Sequence, residues 1–206
     1  HQRELFESIV KMGIDLKVTY YERVSADRVA LGWESESNSA PWESSLDHLN
    51  MTLYQRLTQL SDYIHILPGY GSPAIRRLAY YSSRAKIKWC HWSEASRNGI
   101  RWWARYLIKR NYANLVNRHA LGAFAQGAMA RLDFIRWGIN AEKIAYLTYA
   151  PTLPDTSLPA DPRIIAFANG RPVFLFLGQL THRKAIDIQL KAFAKIKNRD
   201  WCLVLA

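Results

Sequence analysis

The chain has 206 residues, of which 49% are hydrophobic, 13% aromatic and 22% charged. This composition excludes an intrinsically disordered protein, because a chain with so many apolar side chains can bury a core. No apolar run approaches the roughly 20 residues that a helix needs to cross a bilayer, so no membrane span is predicted. The net charge is +11, and residues 76–119 contain eleven Lys or Arg against one acid, Glu94.

Helix and strand patterns alternate along the chain. Segments whose apolar residues recur at three- and four-residue intervals are predicted as helices: 3–12, a short stretch within 46–60, 72–83, 98–117, 128–137 and 186–196. Apolar or alternating segments between them are predicted as strands: 16–20, 62–67, 87–90, 121–124, 173–177 and 201–205. This alternation predicts an α/β fold with parallel sheets flanked by helices.

Residues 151–171 are predicted to link two domains. Four of the eight prolines fall between positions 150 and 171, with polar residues among them, a composition typical of linkers. The first domain is therefore predicted at 1–150 and the second at 172–206. A helix followed directly by a strand at the start indicates that the first domain lacks its first strand.

Residues 172–206 predict one βαβ unit. The continuous apolar run at 173–177 is typical of a strand buried on both faces of a parallel sheet, and Gly178 interrupts it where the chain must turn. A polar and basic loop, residues 179–184, separates this strand from the helix. Sheets of α/β proteins bind anions at this position. The alternative is a plain βαβ unit with a solvated basic loop.

The order of residues in this unit resembles the "GRL…KG.D" signature of the glycosyltransferase group 1 family. These are retaining enzymes of family 4 with the two-domain GT-B fold, in which this segment opens the nucleotide-sugar domain. The resemblance implies that Gly178, Gln179, Arg183 and Lys184 bind the donor's diphosphate. Lys184 matches the family's lysine, but Gln179 stands where the family usually has arginine, and it supplies hydrogen bonds without charge. Ala185 replaces the family's second glycine.

Three further segments resemble the acceptor domain of the same family. Residues 65–74 are similar to the strand and glycine-rich turn that line the cleft, and residues 87–96 resemble a "W.ES" segment of one branch. Residues 123–151 reproduce a pattern of Gly, Ala, Phe, Gly and Glu-Lys-Ile that leads to the linker. The family's first strand would precede His1, and its glutamate-pair motif would follow Ala206. We therefore expect an internal fragment that is inactive in transfer by itself.

The resemblance places candidate site residues beside the cleft of the first domain. His91 and Glu94 are the candidate catalytic residues, because they follow a predicted strand at the cleft. His65, Gly69 and Tyr70 are candidates for the acceptor cleft. Neither a bound metal nor a cofactor is expected, since GT-B enzymes generally stabilise the leaving diphosphate with cations and a helix amino terminus.

Both catalytic candidates have structural alternatives. His91 could instead be packed between Trp89 and Trp92, as a histidine of the core. Glu94 could instead form an ion pair with Arg97 or a neighbouring residue.

The helix predicted at 98–117 carries basic and aromatic residues together. The residues predicted to face an anionic membrane surface are Arg101, Trp102, Arg105 and Lys109. Ile100, Trp103, Leu107 and Leu115 are predicted to face the core. The alternative is a solvated helix face whose rings pack on the domain.

The leading hypothesis is a hexosyltransferase that moves a sugar, with retention, from a nucleotide sugar to a saccharide or lipid-linked acceptor in surface polysaccharide synthesis. The expected location is the cytoplasm, peripheral to the inner face of the plasma membrane, and the two cysteines are expected to be buried free thiols. One alternative is a basic nucleic-acid-binding protein, although no nucleic-acid-binding motif is present. The other is a sugar-nucleotide epimerase of the same fold.

Overall fold

The structure is a computed structural model that describes residues 3–22, 24, 26–30, 40–96, 102–148, 157, 159–196 and 200–205. The chain divides into two units. The first unit comprises His1–Arg23 and Glu34–Thr152, and the second comprises Val24–Trp33 and Leu153–Ala206. The described residues form α-helices and parallel sheets, so the predicted α/β class is confirmed.

The described helices and strands follow one another along the chain. The α-helices are α1 (Arg3–Lys11), α2 (Ala26–Ala30), α3 (Leu46–Leu49), α4 (Leu53–Gln59), α5 (Pro73–Arg84), α6 (Trp102–His119), α7 (Ala128–Trp137), α8 (Pro162–Ala168) and α9 (Ile186–Ala194). The strands are β1 (Val18–Tyr20), β2 (Glu43–Ser45), β3 (His65–Pro68), β4 (Trp89–Ser93), β5 (Gly122–Ala125), β6 (Ile144–Tyr146), β7 (Val173–Phe176) and β8 (Cys202–Leu205). Short 3-10 helices cover Ala141–Lys143 and His182–Lys184.

The first unit contains a four-stranded parallel sheet with the strand order β3-β4-β5-β6. Ile66 lies opposite Cys90, and Cys90 lies opposite Gly122, so the strands pair in the same order in which they occur in the sequence. Strands β1 and β2 form a separate parallel pair. Because parallel neighbours need a crossover connection, α5, α6 and the α7 segment each return the chain to the start of the next strand.

The core of the first unit lies between the four-stranded sheet and helices α5, α6 and α7. Its largest side chains with less than 2% exposure are Ile75, Trp89, His91, Val116, Phe134 and Trp137. Helix α6 contributes Tyr112, Ala113 and Val116 at one-, three- and four-residue spacings, the pattern of a single buried helix face. These helices therefore cover one face of the sheet, and they leave the carboxyl ends of the strands uncovered.

Several elements were not predicted from the sequence. Strand β2 has the sequence Glu-Ser-Ser, which lacks an apolar pattern, and it is held in place by the Tyr20 hydroxyl donating to Glu43 Oε1 at 2.9 Å. Helix α2, strand β6 and helix α8 were also missed. Helix α8 lies inside the segment 151–171 that was predicted as a linker, and the Asp161 side chain caps it by accepting from Arg163 N at 2.8 Å.

The second unit corrects one expectation about burial. Strand β7 forms as predicted, but Phe174 is 47% exposed and Leu175 is 60% exposed. The reason is that β7 pairs only with β8 among the described residues, and a two-stranded sheet cannot bury both of its faces. Phe174 contacts the rings of Phe193 and Trp201, which shelter one side only. Cys90 and Cys202 are buried and free, as expected.

In the described part of the chain, no helix is both long and apolar enough to cross a bilayer.

The pairing of β5 with β6 predicts a strict requirement for glycine at position 122. A Cβ added there would lie 2.9 Å from the backbone oxygen of Lys143. We expect Gly122→Ala to lower the free energy of unfolding by roughly 1–3 kcal/mol, because two backbones must move apart. Urea denaturation followed by tryptophan fluorescence measures this loss. Gly71→Ala is the matched control, since a Cβ there meets nothing within 4 Å, and equal stability of the two variants would contradict the close approach.

Candidate functional site

A cavity of about 370 Å³ lies at the carboxyl edge of the four-stranded sheet. The residues that line it come from the ends of three neighbouring strands and the loops that follow them: Pro68, Gly69, Tyr70, Gly71, Trp92, Ser93, Glu94 and Gln126. We call it the sheet-edge cavity. Its position follows from the topology, because the carboxyl ends of parallel strands meet at one edge, where α/β proteins bind ligands.

The loop after β3 is held on two sides. Gly69 has a φ of 67°, a left-handed conformation that glycine adopts without strain, and its N–H donates to the Trp92 oxygen at 2.8 Å. From α5, Arg76 Nη1 donates to the oxygens of Tyr70 and Gly71 at 2.6 and 3.0 Å. The backbone wall of the cavity is therefore tied to both a strand and a helix.

Two of the residues that line the cavity are aromatic, and each ring is held in place by a contact. The Trp92 Nε1–H donates to the Leu147 oxygen at 3.0 Å, which orients the indole. Tyr70 lies edge-on to Trp137, with ring centroids 4.6 Å apart. Aromatic faces of this kind pack well against flat, partly apolar ligands.

The polar groups of the cavity are a hydroxyl, a carboxylate and an amide. Ser93 and the exposed Glu94 stand at the end of β4, and Gln126 follows β5. The Gln126 Oε1 atom is buried and accepts no hydrogen bond from the described residues, whereas most buried polar atoms have a partner. A few convergent polar groups beside aromatic walls are typical of small-molecule sites.

His91 is placed away from this cavity, which argues against the predicted direct role in catalysis. Its side chain is fully buried and packs against Tyr112, Phe134 and Trp137, with ring centroids 5.3, 5.1 and 6.0 Å away. The alternative of packing between Trp89 and Trp92 is not what the structure shows either. Successive side chains of a strand point to opposite faces, so His91 lies under α6 and α7 while Trp92 lies on the other face.

The hydrogen bonds of His91 show that it positions Ser93. His91 Nε2 shares a hydrogen bond of 3.0 Å with Ser93 Oγ, which also lies 3.1 Å from the Glu94 oxygen. Its Nδ1 shares a hydrogen bond of 3.2 Å with the Tyr112 hydroxyl. Burial lowers the pKa of His91 to about 3, so the ring is neutral at physiological pH.

The remaining cleft candidates divide into two groups. Gly69, Tyr70 and Glu94 lie together in the sheet-edge cavity. His65 does not join them, because β3 begins at this residue and its ring bonds the Leu60 oxygen at 2.8 Å at the amino end of the strand. A four-residue strand spans about 13 Å, which separates His65 from the opposite edge. Arg97, the alternative partner of Glu94, lies outside the described residues.

Of the four residues predicted to face a membrane, the structure describes the side chain of Lys109 only, and it places that side chain differently. Arg101 and the side chains of Trp102 and Arg105 are not among the described parts of the chain. Lys109 points inward: its Nζ donates to Ser96 Oγ and lies 4.0 Å from Asp133 Oδ1. The same Nζ lies 5.1 Å from the Trp137 ring and 5.8 Å from the Tyr70 ring. Lys109 therefore supports the cavity wall.

The predictions for Lys109 and Leu107 were wrong because the sequence pattern gave the wrong buried face of α6. Tyr112, Ala113 and Val116 are the buried positions, and Lys109 lies one turn before them on the same face. Leu107, predicted for the core, is 60% exposed.

Sequence reasoning missed Trp92, Ser93 and Gln126 as cavity residues. Gln126 directly follows the apolar run 121–125, as Gly69 follows the run that ends β3. The rule that carboxyl strand ends converge was therefore sufficient to find it.

The loop that was predicted to bind the donor's diphosphate lies in the second unit. Gly178 has a φ of 145°, Gln179 is half-buried, and Lys184 is exposed at the end of the 3-10 helix. Ala185 adopts a left-handed φ of 54° immediately before α9, at the position where the family signature has glycine. The side chain of Arg183 lies outside the described part. Within the loop, the buried Thr181 Oγ1 has no hydrogen-bond partner among the described residues.

No protein-family model matches the chain, and no curated protein is significantly similar to it. The resemblance to the glycosyltransferase group 1 family therefore rests on the sequence motifs. Among the described residues, no group of three or more His, Cys, Asp and Glu side chains is placed to hold a metal ion.

The buried, neutral His91 predicts a pH dependence of stability. Its pKa is about 3 in the folded state and about 6.5 in the unfolded state, so the unfolded state binds an extra proton between these values. The contribution of the neutral His91 to the free energy of unfolding is therefore fully present above pH 6.5 and decreases as the pH is lowered. Between pH 6 and 4.5, we expect the free energy of unfolding to fall less steeply with decreasing pH in His91→Gln than in the parent. The difference in slope should be up to about 1.4 kcal/mol per pH unit, and urea denaturation at each pH measures it.

His119→Gln, which removes an exposed histidine, is the control and should keep the parent's dependence. Nuclear magnetic resonance of the parent gives an independent measurement, in which the His91 ring signals stay constant from pH 7 to 5. Titration of His91 in the folded protein near pH 6 would contradict the burial.

Proposed function

We propose that this chain serves in glycosyl transfer, as part of a retaining GT-B enzyme of the glycosyltransferase group 1 family. The first unit would bind a saccharide or lipid-linked acceptor, and the second would contribute to binding a nucleotide sugar. The observation that carries the proposal is the sheet-edge cavity, which combines aromatic walls with a carboxylate, an amide and a hydroxyl at the carboxyl ends of parallel strands.

A sugar ring matches these groups in chemistry and size. Its C–H faces pack on an aromatic ring such as that of Tyr70, and its hydroxyls donate to a carboxylate. The exposed Glu94 supplies such an acceptor, while Ser93, which is hydrogen-bonded to His91, presents a hydroxyl. A cavity of about 370 Å³ falls within the range of small-molecule sites.

In this proposal the acceptor is positioned rather than chemically activated by a histidine. Glu94 accepts a hydrogen bond from the acceptor hydroxyl, and the braced loop at Gly69 and Tyr70 limits its orientation. Fixing the reacting groups in this way lowers the entropic part of the barrier. No protein nucleophile is assigned.

The donor's diphosphate would be held by the loop before α9. Lys184 contributes a positive charge, Gln179 contributes amide donors, and the uncapped first turn of α9 contributes backbone N–H groups. Charge near the bridging oxygen stabilises the leaving nucleoside diphosphate as the glycosidic bond breaks.

Replacing Lys184 tests the donor loop. A hydrogen bond to a charged group is worth about 1.5–3 kcal/mol, so Lys184→Gln should weaken binding of a nucleoside diphosphate by roughly 10- to 100-fold. Isothermal titration calorimetry with UDP, GDP and ADP measures the change. Lys191→Gln, which removes an exposed lysine of α9, should bind as the parent does. Equal affinity of the parent and Lys184→Gln would overturn the assignment.

Replacing Glu94 tests the acceptor site. We expect Glu94→Gln to weaken saccharide binding by roughly tenfold, because the amide is a poorer acceptor than the carboxylate. Saturation-transfer magnetic resonance with a panel of mono- and disaccharides provides the measurement, supported by quenching of tryptophan fluorescence. Glu142→Gln, at an exposed position before β6, is the matched control. Absence of saccharide binding by the parent would contradict the proposed acceptor site.

A further inference from the structure

A second cavity, of about 650 Å³, opens between α4 and α5. Its lining residues are one tyrosine of α4 and five residues of α5: Tyr54, Arg76, Arg77, Tyr80, Tyr81 and Arg84. We call it the α4–α5 groove. None of these residues lines the sheet-edge cavity.

The floor of the groove is aromatic and partly rigid. Tyr54 and Tyr81 meet edge to face, with centroids 5.0 Å apart and planes at 73°. The Tyr81 hydroxyl also shares a hydrogen bond of 3.1 Å with Thr58 Oγ1 of α4, which fixes this corner. Tyr80 lies beside them with 55% of its surface exposed. Arg84 lies over one face of the Tyr80 ring, so the opposite face is the stacking surface that this exposed ring offers.

The rim of the groove is strongly basic. Three arginines line it, mainly through their aliphatic stems, so that their charged ends lie around it, and no carboxylate is among the described lining residues. Arg76 donates hydrogen bonds to the loop after β3. Arg77 and Arg84 form no ion pair with any described residue. Arg84 lies 5.9 Å from the centre of the Tyr80 ring. Like charges on one helix face repel each other, so a bound anion would stabilise this arrangement.

The spacing of the two arginines defines the size of a ligand. Arg77 and Arg84 are seven residues apart, which places them on one face of α5 about 10 Å from each other along the axis. Tyr80 lies between them. A guanidinium binds phosphate through two parallel hydrogen bonds, and a tyrosine ring stacks on another flat ring.

We propose that the α4–α5 groove binds a phosphate-bearing ligand with a flat aromatic ring, the chemistry of a nucleotide. Arg77 and Arg84 hold the phosphate, and the ring stacks on Tyr80. This site is separate from the diphosphate loop before α9, and it does not depend on the proposed transfer reaction.

Binding to the full chain tests the proposal with phenyl phosphate, UMP and inorganic phosphate, measured by isothermal titration calorimetry. We expect the two aromatic phosphates to bind more tightly than inorganic phosphate. The double variant Arg77→Gln/Arg84→Gln should bind them at least tenfold more weakly. Lys88→Gln/Arg118→Gln removes the same charge from exposed positions outside the groove and should bind as the parent does.

Further variants distinguish the possible outcomes. Tyr80→Leu should weaken binding of phenyl phosphate severalfold while leaving inorganic phosphate unchanged. Equal losses in the groove variant and in the charge-matched control would overturn the proposal, since they would indicate a general effect of charge. Binding that is lost in Lys184→Gln but kept in Arg77→Gln/Arg84→Gln would place the ligand in the second unit and also overturn it. Binding to phosphatidylglycerol vesicles without binding to aromatic phosphates would overturn the ligand class.

Discussion

Parallel pairing of β3, β4, β5 and β6 is the constraint on which the first unit depends. Each strand must be followed by a crossover before the next strand can pair, and helices provide these crossovers while burying one face of the sheet. The same requirement gathers all carboxyl strand ends at one edge. The loop at Gly69, the end of β4 at Glu94 and the turn at Gln126 are distant in sequence, yet they line one cavity because of this topology.

Polar contacts from the covering helices give that cavity a defined shape. Arg76 of α5 holds two carbonyls of the loop after β3, Tyr112 of α6 holds His91, and Asp133 of α7 accepts from the backbone and hydroxyl of Ser96 at 2.7 and 2.6 Å. Such groups are costly to bury without partners, and fully paired they specify one arrangement. The core and the cavity wall are therefore parts of the same network.

Sequence patterns located elements more reliably than they oriented side chains. The helix predicted at 128–137 is observed at Ala128–Trp137, because its periodicity and the glycine after it are local signals. Strand β2 was missed, since its place depends on a contact between Tyr20 and Glu43 that no local pattern records. Lys109 and His91 were assigned to the wrong surroundings for a related reason. Which face of a helix or strand is covered is decided by the packing of other elements.

The exposed apolar side chains of the β7–β8 pair have a practical consequence for handling this chain. Apolar patches exposed to water favour association between copies, and the surplus of positive charge opposes it through mutual repulsion. At physiological ionic strength, salt screens the repulsion between charges that are more than about 8–10 Å apart. The apolar attraction is not weakened in this way. The chain should therefore remain dispersed most readily in dilute, low-salt buffer, and its concentration and ionic strength govern whether solution measurements report on single molecules.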